Sequence, residues 1–365
     1  CTANKKFAEK VMEVYEPGYM TWVHDYHLLL LPSYILRRHR TAHIGLFLHS
    51  PFPASDVFRT IAVRDELLRA MLNADLIGFL LFEYTRNFLT CCKRMLGLEY
   101  EFQRGGFLGV EYGGRHVMVQ VSTFGLNPEL MRDLKPSQAA HDELQPLKDF
   151  CAKRAALLPP KPPNAPRAHG AGPSGLVLLS GIDYLDHFKG VALKLLAWEA
   201  LLRNYPKYRT GHVLVQICLA SRNQVKLVRD ASHVRDEITA IVARLDQAYP
   251  GCIYYEEKAG MSAAARALLW QGSKVSVYSA IREAVNVYPL EYIVARHFGG
   301  ASAGALVLSE FSGFSRVLNG ALSVNPWSQT LLQAALDQAL EMQPAEMEAR
   351  ARKDLAHITS NTSED

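Results

Sequence analysis

The sequence has 365 residues, of which 49% are hydrophobic and 21% are charged, so the chain is long enough to form two domains with separate cores. The formal net charge of +4 is small and evenly spread, and no basic run is interleaved with aromatic residues, which argues against a nucleic-acid partner. No apolar run approaches membrane-spanning length, and the six scattered cysteines lack the Cys-x-x-Cys spacing of a zinc or redox site, so we expect reduced thiols in a cytoplasmic protein.

Strand-like and helix-like stretches alternate through the first third of the chain. We predict helices at 3–14, 64–72 and 83–96 and strands at 20–24, 43–48, 75–79 and 117–121. Such alternation is typical of a parallel sheet with helices on both faces.

The sequence changes character between residues 157 and 175, where prolines, glycines and alanines dominate. We interpret this segment as an extended or disordered insertion, because it cannot bury enough apolar surface to offset its ordering entropy. A motif for a proline-binding module is the less favoured alternative.

A second alternating series follows the proline-rich segment. It has predicted strands at 176–180, 212–218, 252–255, 274–278 and 305–308, and predicted helices at 190–204, 222–246, 262–270 and 289–297, with two more after residue 327. We therefore predict a first domain at 1–130, a helix and insertion at 131–175, a second domain at 176–327 and C-terminal helices with a polar tail at 328–365.

Two predicted strands of the first domain end in polar residues that face the same edge of the sheet. Asp25 follows the first strand and His49 follows the second. Ligands of open α/β sheets bind outside the carboxyl ends of the strands, so this pair favours a site, although each residue alone is better explained as a loop cap. We expect Trp22, Phe47 and Phe52 to lie in the core.

The combination of His24, Asp25 and His27 raises the question of a metal site. Their spacing places them at a strand end and not on one face of a helix, so we do not expect a metal.

Two basic residues of the second series lie where phosphate groups are often bound. Lys189 stands at the start of a predicted helix, and Arg222 follows a predicted strand. Helix N-termini and arginine forks both suit phosphates. As bare patterns they are unspecific, because helices often begin with a lysine by chance, and for Arg222 alone a surface salt bridge is the preferred explanation.

Several motifs resemble the trehalose-6-phosphate synthase family of retaining glycosyltransferases, in particular its plant-type divergent members. The resemblance rests on Trp22-Val23-His24-Asp25-Tyr26-His27, on Val63-Arg64-Asp65-Glu66-Leu67-Leu68 and on segments that continue to Asn325-Pro326-Trp327. It implies an α/β fold of the GT-B type, with two Rossmann-like domains that face each other across a cleft. No glycine-rich loop precedes Trp22, so we expect an incomplete N-terminal domain and a chain truncated at both ends.

The resemblance also implies roles for individual residues. Asp25 and Arg222 would bind the acceptor, His49 would lie near the donor sugar, and Lys189 would grip the donor diphosphate. Glu283, the acid of the family motif, would contact hydroxyl groups of the donor sugar, and Glu291 would bind the ribose of the nucleotide. Tyr184, Asn286 and Val287 would complete the donor pocket.

The sequence departs from the family pattern at two places. Tyr184 stands where the family usually has an arginine that helps to neutralise the leaving diphosphate, and a phenol brings no charge. The family motif Arg-Asp-Gly-Met-Asn is here Arg282-Glu283-Ala284-Val285-Asn286, which lengthens the acid and adds a Cβ where the backbone is expected to approach the ligand.

The function implied by the resemblance is glucosyl transfer from UDP-glucose to glucose 6-phosphate, giving trehalose 6-phosphate and UDP. No covalent nucleophile, metal or cofactor is expected, and subunits of trehalose synthesis would be the oligomeric partners. The alternative is a weak or inactive homologue that binds sugar phosphate or nucleotide as a regulatory subunit, which Tyr184 and Glu283-Ala284 favour. A different sugar-nucleotide transferase would not explain the long match between Asp25 and Gly78.

Overall fold

The computed structural model describes residues 2–102, 108–122, 125–158, 175–220 and 229–362. The chain forms two compact units, Cys1–Phe124 and Gly125–Asp365. The predicted insertion falls largely, and Arg222 wholly, outside the described residues. The finer four-part division stays a prediction.

The first unit is built on a sheet of six strands in the order β1-β2-β3-β6-β5-β4. The first four strands in this order are parallel, and a hairpin adds the last two in antiparallel pairing. The strands are β1 Met20–His24, β2 His43–Leu48, β3 Leu76–Phe79, β4 Tyr100–Phe102, β5 Leu108–Tyr112 and β6 Arg115–Val121.

Helices connect the parallel strands of this unit. They are α1 Thr2–Val14, α2 Leu31–Arg38, α3 Ser55–Phe58, α4 Arg64–Met71 and α5 Phe82–Leu96, with a short 3-10 helix at Tyr26–Leu28. The last of them, α5, ends where sequence predicts, because Gly97 adopts the left-handed conformation (φ 68°) that terminates a helix.

Aromatic side chains of this sheet lean over glycines of the neighbouring strand. Phe47 packs over Gly78 and is buried, as predicted, and Phe52 is buried as well. Trp22 packs over Gly45 but is 42% exposed, so its predicted place in the core is wrong. The reason is its position, since β1 is an edge strand of the sheet formed by the described residues.

The second unit contains a six-stranded sheet whose pairings are all parallel, in the order β12-β11-β10-β7-β8-β9. Its strands are β7 Val177–Tyr184, β8 His212–Leu219, β9 Ile253–Lys258, β10 Ser273–Tyr278, β11 Ala305–Ser309 and β12 Leu322–Val324. The short β12 was not predicted, and β7 runs four residues further than predicted. These two parallel-dominated sheets confirm the predicted α/β class.

Helices pack on both apolar cores of this sheet. They are α6 Pro128–Arg132, α7 Gln138–Glu143, α8 Gln145–Ala156, α9 Val191–Asn204, α10 Arg229–Ala248, α11 Ala263–Gly272, α12 Tyr288–Phe298, α13 Gln329–Glu341 and α14 Pro344–Ser360, with 3-10 turns at His187–Lys189, Pro206–Arg209 and Gly313–Arg316. No helix of the described ranges is long and apolar enough to cross a membrane.

An ion pair and a glutamine form a polar triad that is buried between the centre of this sheet and α9. The Lys194 ammonium contacts Asp183 Oδ2 at 2.6 Å and Gln216 Oε1 at 2.9 Å, and Gln216 Nε2 donates to the same Asp183 oxygen at 3.1 Å. All three side chains are almost completely buried. Because each charge is compensated only by its partners here, losing one partner leaves another unpaired in a medium of low dielectric.

We expect Lys194→Met to lower the free energy of unfolding by about 3–5 kcal/mol, since Asp183 then keeps a buried charge without its cation. Urea unfolding followed by circular dichroism measures this change. The double variant Lys194→Met/Asp183→Leu is the control and should recover much of the loss. A single variant within about 1 kcal/mol of the parent would contradict the role given to the pair.

Candidate active site

The predicted strand-end residues of the first unit lie side by side. Asp25 directly follows β1 and His49 directly follows β2, and the Asp25 amide donates to the Phe47 carbonyl at 2.8 Å, which continues the β1–β2 ladder. The Ser50 hydroxyl donates to Asp25 Oδ1 at 2.9 Å, while His24 Nδ1 and His49 Nε2 are 3.0 Å apart. A carboxylate and an imidazole therefore meet at the carboxyl edge of the sheet.

The backbone of Asp25 is strained. Its φ of 65° and ψ of 175° fall in a region that is almost confined to glycine, and no other non-glycine residue of the described chain has a positive φ. Such a conformation costs on the order of 1–3 kcal/mol and persists when the surroundings hold it in place. Strain of this kind is common at ligand-binding sites.

The environment of His49 favours a neutral ring. Burial lowers the pKa of His49, the Asp25 carboxylate partly opposes this effect, and His24 lowers the pKa further. A neutral imidazole has one donor and one acceptor nitrogen, which suits it to contact a hydroxyl group.

In the second unit, Lys189 and Glu283 form an ion pair between the loops that follow β7 and β10. The loops are tied together, because the Ile281 amide donates to the Phe188 carbonyl at 2.8 Å. Gly190 completes the turn into α9 with φ 61°, and a Cβ at this position would lie 2.1 Å from the Ser279 carbonyl oxygen. Only glycine therefore lets the Lys189 loop approach the end of β10 this closely.

Glu283 is the more buried partner of this ion pair. Burial raises the pKa of its carboxyl above the usual value, and the Lys189 ammonium offsets only part of this effect. One oxygen, Oε1, receives Lys189, whereas the buried Oε2 makes no hydrogen bond of ordinary geometry to the described residues, although the Asn286 side chain is close enough to the carboxyl to lower its pKa. An unsatisfied buried carboxylate oxygen is costly, so a ligand hydroxyl that donates to it would be stabilised.

Tyr184, the last residue of β7, lies next to Lys189. Its side chain is half exposed, and the Lys189 ammonium lies 5.7 Å from the centre of its ring. Burial and the neighbouring Tyr184 phenol raise the pKa of Tyr288, the first residue of α12. Tyr184 thus borders the Lys189 site and brings no positive charge to it.

The segment after Glu283 leads into α12. Asn286 is buried and its Oδ1 accepts the Tyr288 amide at 3.0 Å, while Val287 is half buried at the N-cap. Ala284 has no positive φ, so the alanine does not strain the backbone. Alanine therefore replaces the glycine of the family motif without requiring an unfavourable φ.

Glu291 is buried in the first turn of α12. Each of its oxygens accepts one bond from Arg266, at 3.0 Å from Nε and 3.0 Å from Nη2. The Arg266 guanidinium lies 5.2 Å from the centre of the Tyr288 ring and also faces Trp270. A carboxylate oxygen has a second lone pair, so Glu291 keeps two acceptor positions for hydroxyl groups.

Arg266 was missed by sequence reasoning. It lies on α11, 25 residues before Glu291, and the signal that would have found it is an arginine on a helix otherwise rich in alanine and leucine.

The predicted site residues that the structure describes fall into two groups. Asp25 and His49 adjoin each other in the first unit. In the second unit, the loops after β7 and β10 and the start of α12 bring together Tyr184, Lys189, Glu283, Asn286, Val287 and Glu291. Arg222 lies outside the described residues, and the roles assigned to all these side chains stay predictions. No cluster of three or more metal-binding side chains occurs in the part of the chain that the structure describes.

Comparison with known proteins agrees with this fold. The model of glycosyltransferase family 20 matches residues 1–158 and 173–365. The chain is 36% identical over 372 residues to the probable alpha,alpha-trehalose-phosphate synthase (UDP-forming) 7 of Arabidopsis thaliana, a match that covers 98% of this chain and 40% of the relative. The chain thus spans about two fifths of that relative's length.

Two solved structures share the fold over nearly the whole chain. An alpha,alpha-trehalose-phosphate synthase (UDP-forming) of Burkholderia xenovorans, in complex with glucose-6-phosphate, superposes with a TM-score of 0.84 at 25% identity, over 99% of this chain and 75% of that one. An E. coli protein described as trehalose-6-phosphate bound with UDP-2-fluoro glucose gives a TM-score of 0.80 at 26% identity, over 99% of this chain and 74% of that one.

These matches confirm the predicted fold class, which is α/β with Rossmann-like domains of the GT-B type, and they confirm the resemblance on which the site was built. The chain belongs to glycosyltransferase family 20.

Proposed function

We propose that this protein transfers glucose from UDP-glucose to glucose 6-phosphate with retention of configuration and releases UDP and trehalose 6-phosphate. The observation that carries the proposal is the Lys189–Glu283 ion pair at the carboxyl ends of β7 and β10, with the Glu291–Arg266 pair on the adjoining helix. The names of the relatives and the ligands of the two solved structures support these substrates.

The second unit offers a suitable environment for a nucleoside diphosphate sugar. Lys189 provides a cation for the diphosphate, and α9 begins directly after it with N–H groups that have no partner within the helix. Glu283 Oε2 provides an acceptor for a sugar hydroxyl, and the remaining lone pairs of Glu291 suit the two hydroxyls of a ribose.

The first unit offers groups for the sugar that accepts the glucosyl group. Ser50 occupies Asp25 Oδ1, which leaves the lone pairs of the second carboxylate oxygen to orient hydroxyl groups. His49 adjoins this carboxylate, and burial lowers the pKa of His49, which favours the neutral ring. Both residues suit a polyhydroxylated ligand better than a hydrophobic one.

Catalysis would consist of positioning and charge stabilisation. The leaving phosphate would help to remove the proton from the attacking hydroxyl, and Lys189 would stabilise the negative charge that develops on that phosphate. No covalent nucleophile, metal or cofactor besides the co-substrate UDP-glucose is part of the proposal.

The second candidate function is a regulatory subunit that binds nucleotide or sugar phosphate without turnover. Two observations favour it: Tyr184 supplies no cation, and the charge of Lys189 is already compensated by Glu283. Binding would survive these features better than catalysis, because catalysis depends on charge stabilisation that grows in the transition state.

A cytoplasmic location and association with other subunits of trehalose synthesis complete the proposal. Five cysteines of the described chain, Cys91, Cys92, Cys151, Cys218 and Cys252, are buried free thiols, which suits a reducing compartment.

The first test is the release of UDP from UDP-glucose with and without glucose 6-phosphate. We expect release that requires the acceptor, and a decrease in kcat of roughly 100-fold or more in Lys189→Met, because the leaving phosphate loses its cation. Lys153→Met, which changes an exposed lysine on α8, is the matched control and should behave as the parent does. Saturable UDP binding without release in the parent would support the regulatory subunit instead.

The second test restores the missing cation. We expect Tyr184→Arg to raise kcat by about tenfold to 100-fold, since an arginine beside Lys189 would share the charge of the leaving diphosphate. Tyr184→Phe is the control, because it removes the hydroxyl without adding charge. An arginine variant no faster than the phenylalanine variant would show that position 184 does not limit the reaction.

A further inference from the structure

His24 and His49 face each other at the carboxyl ends of β1 and β2. The distance from His24 Nδ1 to His49 Nε2 is 3.0 Å, and the ring centres are 5.1 Å apart at an interplanar angle of 36°. Backbone register produces this contact, because His24 pairs with Phe47 and the ladder continues through Asp25. The two imidazoles are thus held together by the sheet.

Aromatic rings support the imidazole pair on both sides. Trp22 meets the His24 ring edge-on, with centres 6.1 Å apart, and Phe47 lies 5.0 Å from the centre of the His49 ring. The side chains on this face of β1 and β2 restrict the ways in which either imidazole can rotate.

A nitrogen–nitrogen contact of this length requires one proton between the two atoms. If both facing nitrogens lacked a proton, two lone pairs would repel, and if both carried one, two N–H groups would collide. In a neutral ring the second nitrogen then has the opposite role to the first. The contact with His24 therefore couples the tautomers of the two rings: if the shared proton belongs to His24 Nδ1, the proton of neutral His49 is on its Nδ1, and if it belongs to His49 Nε2, His49 Nδ1 is an acceptor.

We propose that His24 is a positioning residue for His49: the proton shared between His24 Nδ1 and His49 Nε2 selects one tautomer of His49, and so determines whether His49 Nδ1 donates to or accepts from a hydroxyl group of a bound sugar. The inference rests on the proposed function only for the last step, the hydroxyl of the ligand. The tautomer itself is a property of the protein without ligand.

The charged and polar groups nearby are compatible with this role. Asp25 is the carboxylate that acts on His49, and it is engaged by Ser50 through Oδ1. His24 and Asp25 are consecutive, so one strand end presents a ring to His49 and a carboxylate to its surroundings. A single segment thereby orients two groups of the site.

The tautomer is measured by long-range 1H–15N NMR of the imidazole rings, with the His49 signals assigned from a His49→Asn variant. We expect His49 to be one tautomer in the parent and a mixture of both in His24→Leu. His24→Asn should keep a single tautomer, because the asparagine amide can reach the position of Nδ1, whereas His24→Gln places its amide near Nε2 and should not. His27→Leu, an exposed histidine of the same segment, is the matched control and should leave His49 unchanged.

Kinetics give the second measurement. We expect His24→Leu to lower kcat/KM for UDP release by about threefold to tenfold, the factor that corresponds to one hydrogen bond between neutral groups, and His24→Asn to recover most of it. Circular dichroism spectra and unfolding midpoints identify any variant that fails to fold. If His24→Leu fails to fold, the test is the comparison of His24→Asn with His24→Gln.

The outcomes separate this inference from the proposed function. A mixture of His49 tautomers in the parent, or one unchanged tautomer in His24→Leu, would overturn the positioning role whether or not the protein turns over UDP-glucose. A tautomer that depends on His24 in a protein without turnover would retain the positioning role and reject the transfer reaction. A tautomer that depends on His24 with unchanged kcat/KM would limit the effect to the free protein and overturn the catalytic part.

Discussion

The register of the parallel strands is the constraint on which the candidate site depends. Strands that are hydrogen-bonded in parallel end at the same edge of the sheet, so the residues that follow β1 and β2, or β7 and β10, are brought together although they are far apart in sequence. In the second unit one further backbone bond, from Ile281 to Phe188, joins the two loops that carry Lys189 and Glu283. The site is thus a direct product of the ladders and of one glycine that permits close approach.

Two ion pairs of the second unit differ in how deeply they are buried. The innermost pair, Lys194 with Asp183, is almost completely buried and is shared with Gln216. The next pair, Lys189 with Glu283, lies nearer the surface, and its second carboxylate oxygen makes no hydrogen bond of ordinary geometry to the residues that the structure describes. Since a closed network has nothing to offer a ligand while an open one does, the two pairs differ in the chemistry that they allow, although they lie on adjacent elements.

Much of the fold and part of the candidate site could be predicted from sequence, because both follow from local patterns. Short apolar runs indicated the longer strands, and the rule that ligands bind at strand ends then singled out Asp25 and His49. The start of a predicted helix indicated Lys189, whereas Glu283 was indicated only by the resemblance. The partnership of Arg266 with Glu291 could not be predicted, because it joins two helices whose packing is set by the whole sheet. Trp22 was misplaced for the same reason, since the local pattern does not tell whether a strand is central or at the edge. The resemblance supplied the roles, which periodicity and spacing alone do not contain.

The backbone of Asp25 has a consequence for how this position tolerates change. Its dihedral angles suit glycine, so a chain selected for stability alone would be expected to discard the carboxylate there and gain the relief of the strain. An acid retained at such a position lowers the stability of the molecule, and the surrounding ladder and Ser50 have to hold it. A substitution of Asp25 that raises the thermal stability of the protein should therefore also remove the carboxylate that the end of β1 presents to a ligand.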